Sequence, residues 1–331
     1  MATLKDVAKL ACVDVSTVSR ALNNTSYVHP DTKARIMAAV KELSYAPNVL
    51  AQGLRQGKRH TIGVVIPRLY FTIFAEIVQG IEEEARKRGY ATLICNTEDD
   101  PKIEKENLNK LRNGFIDGII IAGTGHNNRI LKDILANGLA VTQIIRKQED
   151  TMSSVTVDYA KCGYDAVIYL AKKGCREIGL INGPMNLAPY RERYQGYHKA
   201  MTKLALRETT TSIDAQSNSL EYGYHCTFEF LKQNPNLDAI IAAVDTQGIG
   251  VLRALKECRI QVPEKMHVMS LTGYTIGSML ETSMTALEMP AREIGIQAAN
   301  ITIEYIEAPS EKKPSVRHLV FNSILAERES G

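Results

Sequence analysis

The stretch Val15-Ser16-Thr17-Val18-Ser19-Arg20-Ala21-Leu22-Asn23 holds the residues in this chain best suited to a defined chemistry. At helical spacing Val15, Val18, Ala21 and Leu22 form one apolar face and leave Ser16, Thr17, Ser19 and Arg20 on the other. Hydroxyls of that kind reach base edges or phosphates, and an arginine pairs with guanine or grips a phosphate. The chemistry implied is the reading of double-stranded DNA. A polar helix face is often merely solvated, so its surroundings carry weight. Residues 1–60 hold nine Lys/Arg against four Asp/Glu, net +5 in a chain of net +3, which leaves −2 for the remainder. A basic head on a near-neutral body suits a polyanionic partner.

Other chemistries find little support. The six cysteines (Cys12, Cys95, Cys162, Cys175, Cys226, Cys258) are scattered without metal-ligand spacing and read as reduced thiols, mostly core filler. The seven histidines form no His-Glu-x-x-His, so no metal site is expected. Gly248-Ile249-Gly250 follows a strand pattern but is not a full dinucleotide fingerprint. It reads as a helix approaching a sheet. No Walker loop and no Gly-x-Ser-x-Gly elbow occur, so neither an enzyme nor a cofactor is expected. No apolar run approaches the ~20 residues of a membrane helix. The N-terminus lacks the apolar core of a secretion signal, which predicts a cytoplasmic protein.

The elements that must position the polar helix can be read around it. Thr3 and Asp6 make a capping-box pattern before a first helix, Asp14 stands ready to cap the second, and Pro30 opens a third lined by Ile36, Val40 and Leu43. Three helices with about three residues between the first two form a helix-turn-helix pattern, whose second helix enters the major groove. Residues 46–60, punctuated by Pro47, Gly53 and Gly57 and basic at their end, read as a linker. From Thr61 strand and helix patterns alternate. The strands read as 62–66, 90–95, 117–122, 139–144, 154–157, 177–181, 237–242 and 267–271. The helices read as 74–88, 101–113, 160–173, 190–204, 219–233 and 246–257. Such alternation implies parallel sheets covered by helices, built twice, with ligands outside the carboxyl ends of the strands.

With these residues in view, the sequence resembles the LacI/GalR family of bacterial transcriptional regulators over essentially its whole length. The resemblance rests on Leu4-Lys-Asp-Val-Ala-Lys-Leu-Ala11, Ser16-Thr-Val-Ser-Arg-Ala-Leu-Asn23, Tyr45-Ala-Pro-Asn48 with Ala51 and Leu54, Ile62-Gly-Val-Val-Ile-Pro67, Arg193-x-x-Gly196-Tyr197 and Val262-Pro263. It implies a small all-α helix-turn-helix head (1–45), a hinge (46–60) and an α/β two-lobed, periplasmic-binding-protein-like core (61–331) of two parallel doubly wound sheets. The expected N-lobe is about 61–159 plus 290–321, and the C-lobe about 160–289 plus 322–331. It further implies a homodimer or higher assembly on pseudo-palindromic operator DNA. Val15, Ser16 and Arg20 match base-reading positions, Thr17, Ser19 and Asn23 match phosphate-side positions, and Ala51 and Leu54 match the hinge, Leu54 as a minor-groove wedge. Cys12 departs from the family's turn glycine, which predicts altered geometry or strain there. His29 replaces a usual serine cap. Gly53 weakens the hinge helix by up to about 1 kcal/mol and predicts a hinge dependent on DNA for order.

The resemblance also implies a small effector in the core, a sugar or sugar phosphate. Arg193 matches an arginine aimed into the cleft and Asp245 an acidic position there. Arg146 follows a strand, Asp158 opens the second lobe as a contact or a plain helix cap, and Phe71, Phe74 and Tyr190 suit stacking on a sugar face. Ser270-Leu271-Thr272-Gly273-Tyr274 stands where the family places Gly-aromatic-Asp-Asp, and Arg68-Leu69-Tyr70-Phe71 where it has an acid and small polar residues. These departures, with Thr272 in the pocket, suggest that Arg68, Arg146 and Arg193 together neutralise a phosphate. Repression of carbohydrate-metabolism genes under effector control is the expected function. The alternatives are a sugar receptor without DNA function and a regulator that needs a protein corepressor.

Overall fold

A computed structural model of the chain describes residues 2–23, 26–45, 59–113, 116–211 and 219–331. Ala51, Leu54 and nearly all of the expected hinge lie outside the described residues. The chain divides into two compact units, Met1–Arg59 and His60–Gly331.

In the first unit α1 (Leu4–Leu10), α2 (Val15–Asn23) and α3 (Pro30–Glu42) close on a small core. Val7, Ala8, Ala11, Val18, Ala21, Ile36 and Ala39 are buried there. Thr3 and Asp6 form the reciprocal capping box that their spacing predicts. α1 stops at Ala11 because Cys12 turns into the left-handed region, φ 50°. The Val13 N–H then reaches back to the Ala8 carbonyl at 3.0 Å, the pattern that ends many helices and that favours glycine at the turning residue. At α3, His29 makes no side-chain cap, and Pro30 begins the helix.

The second unit holds two six-stranded sheets. The first contains β1 (Thr61–Ile66), β2 (Ala91–Asn96), β3 (Gly118–Ile121), β4 (Ala140–Ile144), β5 (Ser153–Val157) and β11 (His318–Phe321). Their spatial order is β11-β5-β4-β3-β1-β2, all parallel. The second contains β6 (Ile178–Ile181), β7 (Thr209–Thr211), β8 (Ala239–Ala242), β9 (His267–Ser270), β10 (Thr285–Glu288) and β12 (Ile324–Ala326). Its order is β12-β10-β9-β8-β6-β7, parallel except for β12. The covering helices are α4 (Thr72–Lys87), α5 (Pro101–Arg112), α6 (Asn128–Ala136), α7 (Tyr159–Lys172), α8 (Ala188–Lys203), α9 (Leu220–Gln233), α10 (Asp245–Glu257) and α12 (Ala291–Glu307), with a short α11 (Thr275–Ser278).

Strand alternation distributes the core. Ile62, Val64 and Ile66 of β1 pack with Ile77 and Ile81 of α4 and with Ile294 of α12. Val65, pointing the other way, packs with Leu108 of α5 and Leu131 of α6. β2 is an edge strand and leaves Leu93 and Ile94 exposed. Glycines let three helix pairs approach closely. A Cβ on Gly163 would stand 2.1 Å from the Arg193 carbonyl oxygen, and one on Gly196 1.8 Å from that of Ala160. Gly80 with Gly295, and Gly223 with Gly250, make the same reciprocal crossings between α4 and α12 and between α9 and α10. Gly248, by contrast, faces Met284 and Ala242 on the sheet side, so the two glycines of Gly248-Ile-Gly250 serve different approaches.

Candidate functional site

On the head, α2 carries the expected reading face. Ser16 and Arg20, one helical turn apart, are exposed. Val15, Thr17 and Ser19 are half-buried, and Val15 packs in part on the head core. The side chain of Asn23 lies outside the described residues. Val18 and Ala21, fully buried against α1 and α3, fix the helix rotation that turns Ser16 and Arg20 outward.

In the core, both sheets reverse their winding at a defined place. In the first sheet the chain passes from β1 out to β2 and returns to the other side of β1 as β3. In the second it does the same around β6, with β7 on one side and β8 on the other. Ligands of such sheets bind beyond the carboxyl ends of the strands at these switch points. A cavity lies there, lined from the strand ends of both sheets. Phe71 reaches it from the β1–α4 connection, Phe74 from the first turn of α4, Tyr190 and Arg193 from α8, and Asp245 from the first residue of α10. Ile145 and Arg146 enter after β4, Tyr159 from α7, Thr272 and Tyr274 after β9, and Met289 after β10.

The walls are aromatic and the polar groups few. Arg193 is buried. Its guanidinium lies 5.1 Å over the Tyr159 ring and donates to the Leu271 carbonyl at 3.0 Å, while its Nε has no partner among the described residues. One Asp245 carboxylate oxygen accepts from the Ser270 hydroxyl and from the Gly273 N–H at 3.0 Å. The other carboxylate oxygen, and the Tyr274 hydroxyl, are buried without a partner among the described residues. The Thr272 hydroxyl oxygen accepts the Asp245 N–H at 3.0 Å. Burial pushes the Asp245 carboxyl above its ordinary range, opposed by the bonds from Ser270, Gly273 and Thr272 and by the Arg193 charge. Burial, reinforced by Asp245, likewise raises Tyr274 well above the ordinary phenol.

Phe71, Phe74, Arg146, Tyr190, Arg193, Asp245 and Thr272 are thus brought together, whereas Arg68 is not among the lining residues. Its guanidinium donates to the Tyr70 hydroxyl at 2.9 Å and stands 5.7 Å over the Phe71 ring. Arg146 lines the cavity but is held by both oxygens of Asp99. The expected convergence of three arginines on one anion is therefore not found: Arg68 is outside the lining and Arg146 is paired with Asp99. Phe74 is both core and wall, and Asp158 caps α7 by accepting the Lys161 N–H at 2.8 Å. Tyr159 and Tyr274 are cavity residues that no spacing rule singled out. The signal available for Tyr274 was its place just past a strand end. Among the described residues no cluster suits a metal ion, and no helix is long and apolar enough to cross a membrane.

Two family models match the chain. Residues 3–48 match "Bacterial regulatory proteins, lacI family". Residues 59–323 match "Periplasmic binding proteins and sugar binding domain of LacI family". The ribose operon repressor of Escherichia coli (strain K12) is 31% identical and covers 100% of both chains. The HTH-type transcriptional regulator RegA of Clostridium saccharobutylicum is 30% identical over 100% of this chain and 99% of its own. Among solved structures, a transcriptional regulator CelR–cellobiose complex is similar with a TM-score of 0.73 and 26% identity over 100% of both chains.

Proposed function

The chain belongs to the LacI family of bacterial regulatory proteins, and from that premise we propose which residues read DNA and what the cavity senses. The protein is a DNA-binding transcriptional repressor with a sugar-binding type of core, not an enzyme. A sugar receptor without DNA function leaves the regulatory head unexplained.

Residues 1–45 act as the reading head, 46–60 as the hinge and 61–331 as the effector and dimerisation core, with the lobes divided near residues 159, 289 and 321. Ser16 and Arg20 contact base edges in the major groove, with Val15 beside them. Thr17, Ser19 and Asn23 lie toward the phosphates, and Ala51 and Leu54 act in the minor groove. Two copies of the chain on a pseudo-palindromic operator supply two such heads, in the cytoplasm. The effector is a neutral polyhydroxylated molecule of sugar size. The observation that carries this is the trio of buried, unpartnered polar atoms in an aromatic cavity: Arg193 Nε and Tyr274 Oη to donate, and an Asp245 oxygen to accept. Arg146 is paired with Asp99 and Arg193, among the described residues, stands alone near Asp245, so a phosphate would meet at most one unpaired cation there. Unequal binding of the effector to two lobe orientations shifts operator affinity.

Selection of bound duplexes from a random pool, followed by titration of the winner with D-ribose, cellobiose and ribose 5-phosphate, tests the proposal. A palindromic winner released or tightened by a neutral sugar supports it. A response confined to the phosphate ester sinks the neutral-effector reading, and no enrichment at low salt sinks the DNA reading.

A further inference from the structure

Arg146 is the one cavity-lining cation whose charge is held from outside the cavity. Asp99 grips its guanidinium with both oxygens. Arg146 is 6% and Asp99 18% exposed, so the pair is largely withdrawn from water. Both ends of the pair sit on backbone in a region that side chains disfavour. Glu98 and Asp99 have φ 54° and 59°, and Ile145, just before Arg146, has φ 63°. For a β-branched residue such an angle is a true outlier. The Arg146 N–H closes back on the Ile144 carbonyl two residues earlier, a tight turn of the strained kind. Conformations of this sort persist only where surrounding contacts impose them, and they gather at clamps and switches. The contacts here are the Asp99 pair, the Tyr159 hydroxyl on the Ile145 carbonyl at 2.9 Å, and the Arg146 bond to the Gly123 carbonyl at 3.4 Å.

Asp99 lies three residues past the end of β2, the edge strand. The other end of β2 is tied to the first residue of the core, since the Ala91 N–H donates to the His60 carbonyl at 2.8 Å. β2 therefore spans about 20 Å between the cavity arginine and the point where the chain enters the core. It is held in the sheet on one side only, by β1. We propose that Asp99 is the positioning residue of Arg146, and that the pair carries the state of the cavity along β2 to His60 and so toward the head. This rests on the effector reading of the cavity, but its mechanical part does not depend on which effector binds. A ligand that draws Arg146 inward takes it from Asp99 and leaves the far end of β2 held by Thr97 on the Ile66 carbonyl; one that leaves the pair intact keeps both fastenings.

The test is amide hydrogen exchange by mass spectrometry on the full-length, ligand-free chain. Asp99→Ala is compared with wild type and with the conservative Asp99→Glu. Exchange in Asp99→Ala is expected to rise at least about fivefold in segments 59–66 and 91–96, as well as at 97–100, with Asp99→Glu moving it back toward wild type. β6 and β8 should be unchanged. Faster exchange confined to 97–100 would mean a local contact and overturns the proposal. A uniform rise that includes β6 and β8 would mean global loosening and also overturns it. Should Asp99→Ala not fold, Arg146→Lys keeps the charge but loses the two-pronged grip and must give the same pattern. In the same variants, affinity for the selected operator should change by at least about fivefold, and an unchanged affinity refutes the link to DNA.

Discussion

The crossing of α7 and α8 offers a sharp test of how the cavity is held. Gly163 faces the backbone of Arg193, so Gly163→Ala would put a Cβ 2.1 Å from that carbonyl oxygen and 3.1 Å from its Cα. Real Cβ atoms do not come nearer than 3.0 Å, and the obstacle is backbone, which cannot swing aside. The helices must part by about 0.9 Å, an overpacking of the kind that costs ~1–3 kcal/mol. The gain in helix propensity returns at most about 1 kcal/mol. A net loss near 1 kcal/mol should lower the core's melting temperature by about 2–4 °C. The same movement carries Arg193 away from the Leu271 carbonyl and the Tyr159 ring, so response to effector should fall more than stability does. Gly277→Ala is the control, since Gly277 is also helical and a Cβ there meets nothing nearer than 3.7 Å, and it should melt at or above wild type. Thermal unfolding followed by circular dichroism reads both. If Gly163→Ala melts with Gly277→Ala, the reasoning from close backbone approach is wrong.

Four further outcomes are expected. Asp245 has its carboxyl raised by burial, so the unfolded chain ionises first as pH rises and the ligand-free core loses stability from the ordinary carboxylate range upward. Asp245→Asn should therefore melt higher than wild type by a margin that grows as pH rises above the ordinary carboxylate range, and a constant or reversed margin contradicts this. Cys12→Gly should stabilise the head by ~0.5–1 kcal/mol in a denaturant titration, because glycine suits φ 50°. Glu104→Ala should cost more than about 3 kcal/mol by urea unfolding. That change strips the buried acceptor of the Thr124 N–H, the Thr124 hydroxyl and the Asn127 amide. Arg20→Ala should weaken binding to the selected operator by ~1–3 kcal/mol and relax the choice at one base pair; equal loss on all duplexes would make it a phosphate contact.

Much of this arrangement is legible in residue types. The Thr3–Asp6 box, the apolar stripe of α2 and the strand-helix alternation from Ile62 to Leu271 are local patterns, and local patterns survive into the fold. β7 shows no such signal, for it is three threonines, Thr209–Thr211, made a strand by β6 beside it. β11 and β12 are defined by partners far back in the chain. The site divides in the same way. Arg193 and Asp245 follow from resemblance and from strand ends. The fate of Arg68 and Arg146 does not, because it is decided by Tyr70 and by Asp99, the latter 47 residues away. A count of arginines suggested an anion, and only their partners show where the charge is already used.

The pairing of β5 with β11 joins Ser154 to His318, and α12, which packs on α4, is formed late in the chain. During synthesis the first sheet therefore cannot be finished until almost the whole chain has left the ribosome. The strands β6 to β10 need no such wait. Non-local parallel pairing is slow to form and leaves apolar surface open meanwhile. Both sheets take their last strand from the C-terminal stretch, β11 for the first and β12 for the second, and a chain stopped short of residue 318 would present β5 and β10 as bare edges. Loss of a few dozen C-terminal residues should thus harm the N-terminal lobe, whose other strands lie far from the break, as well as the lobe that holds β12.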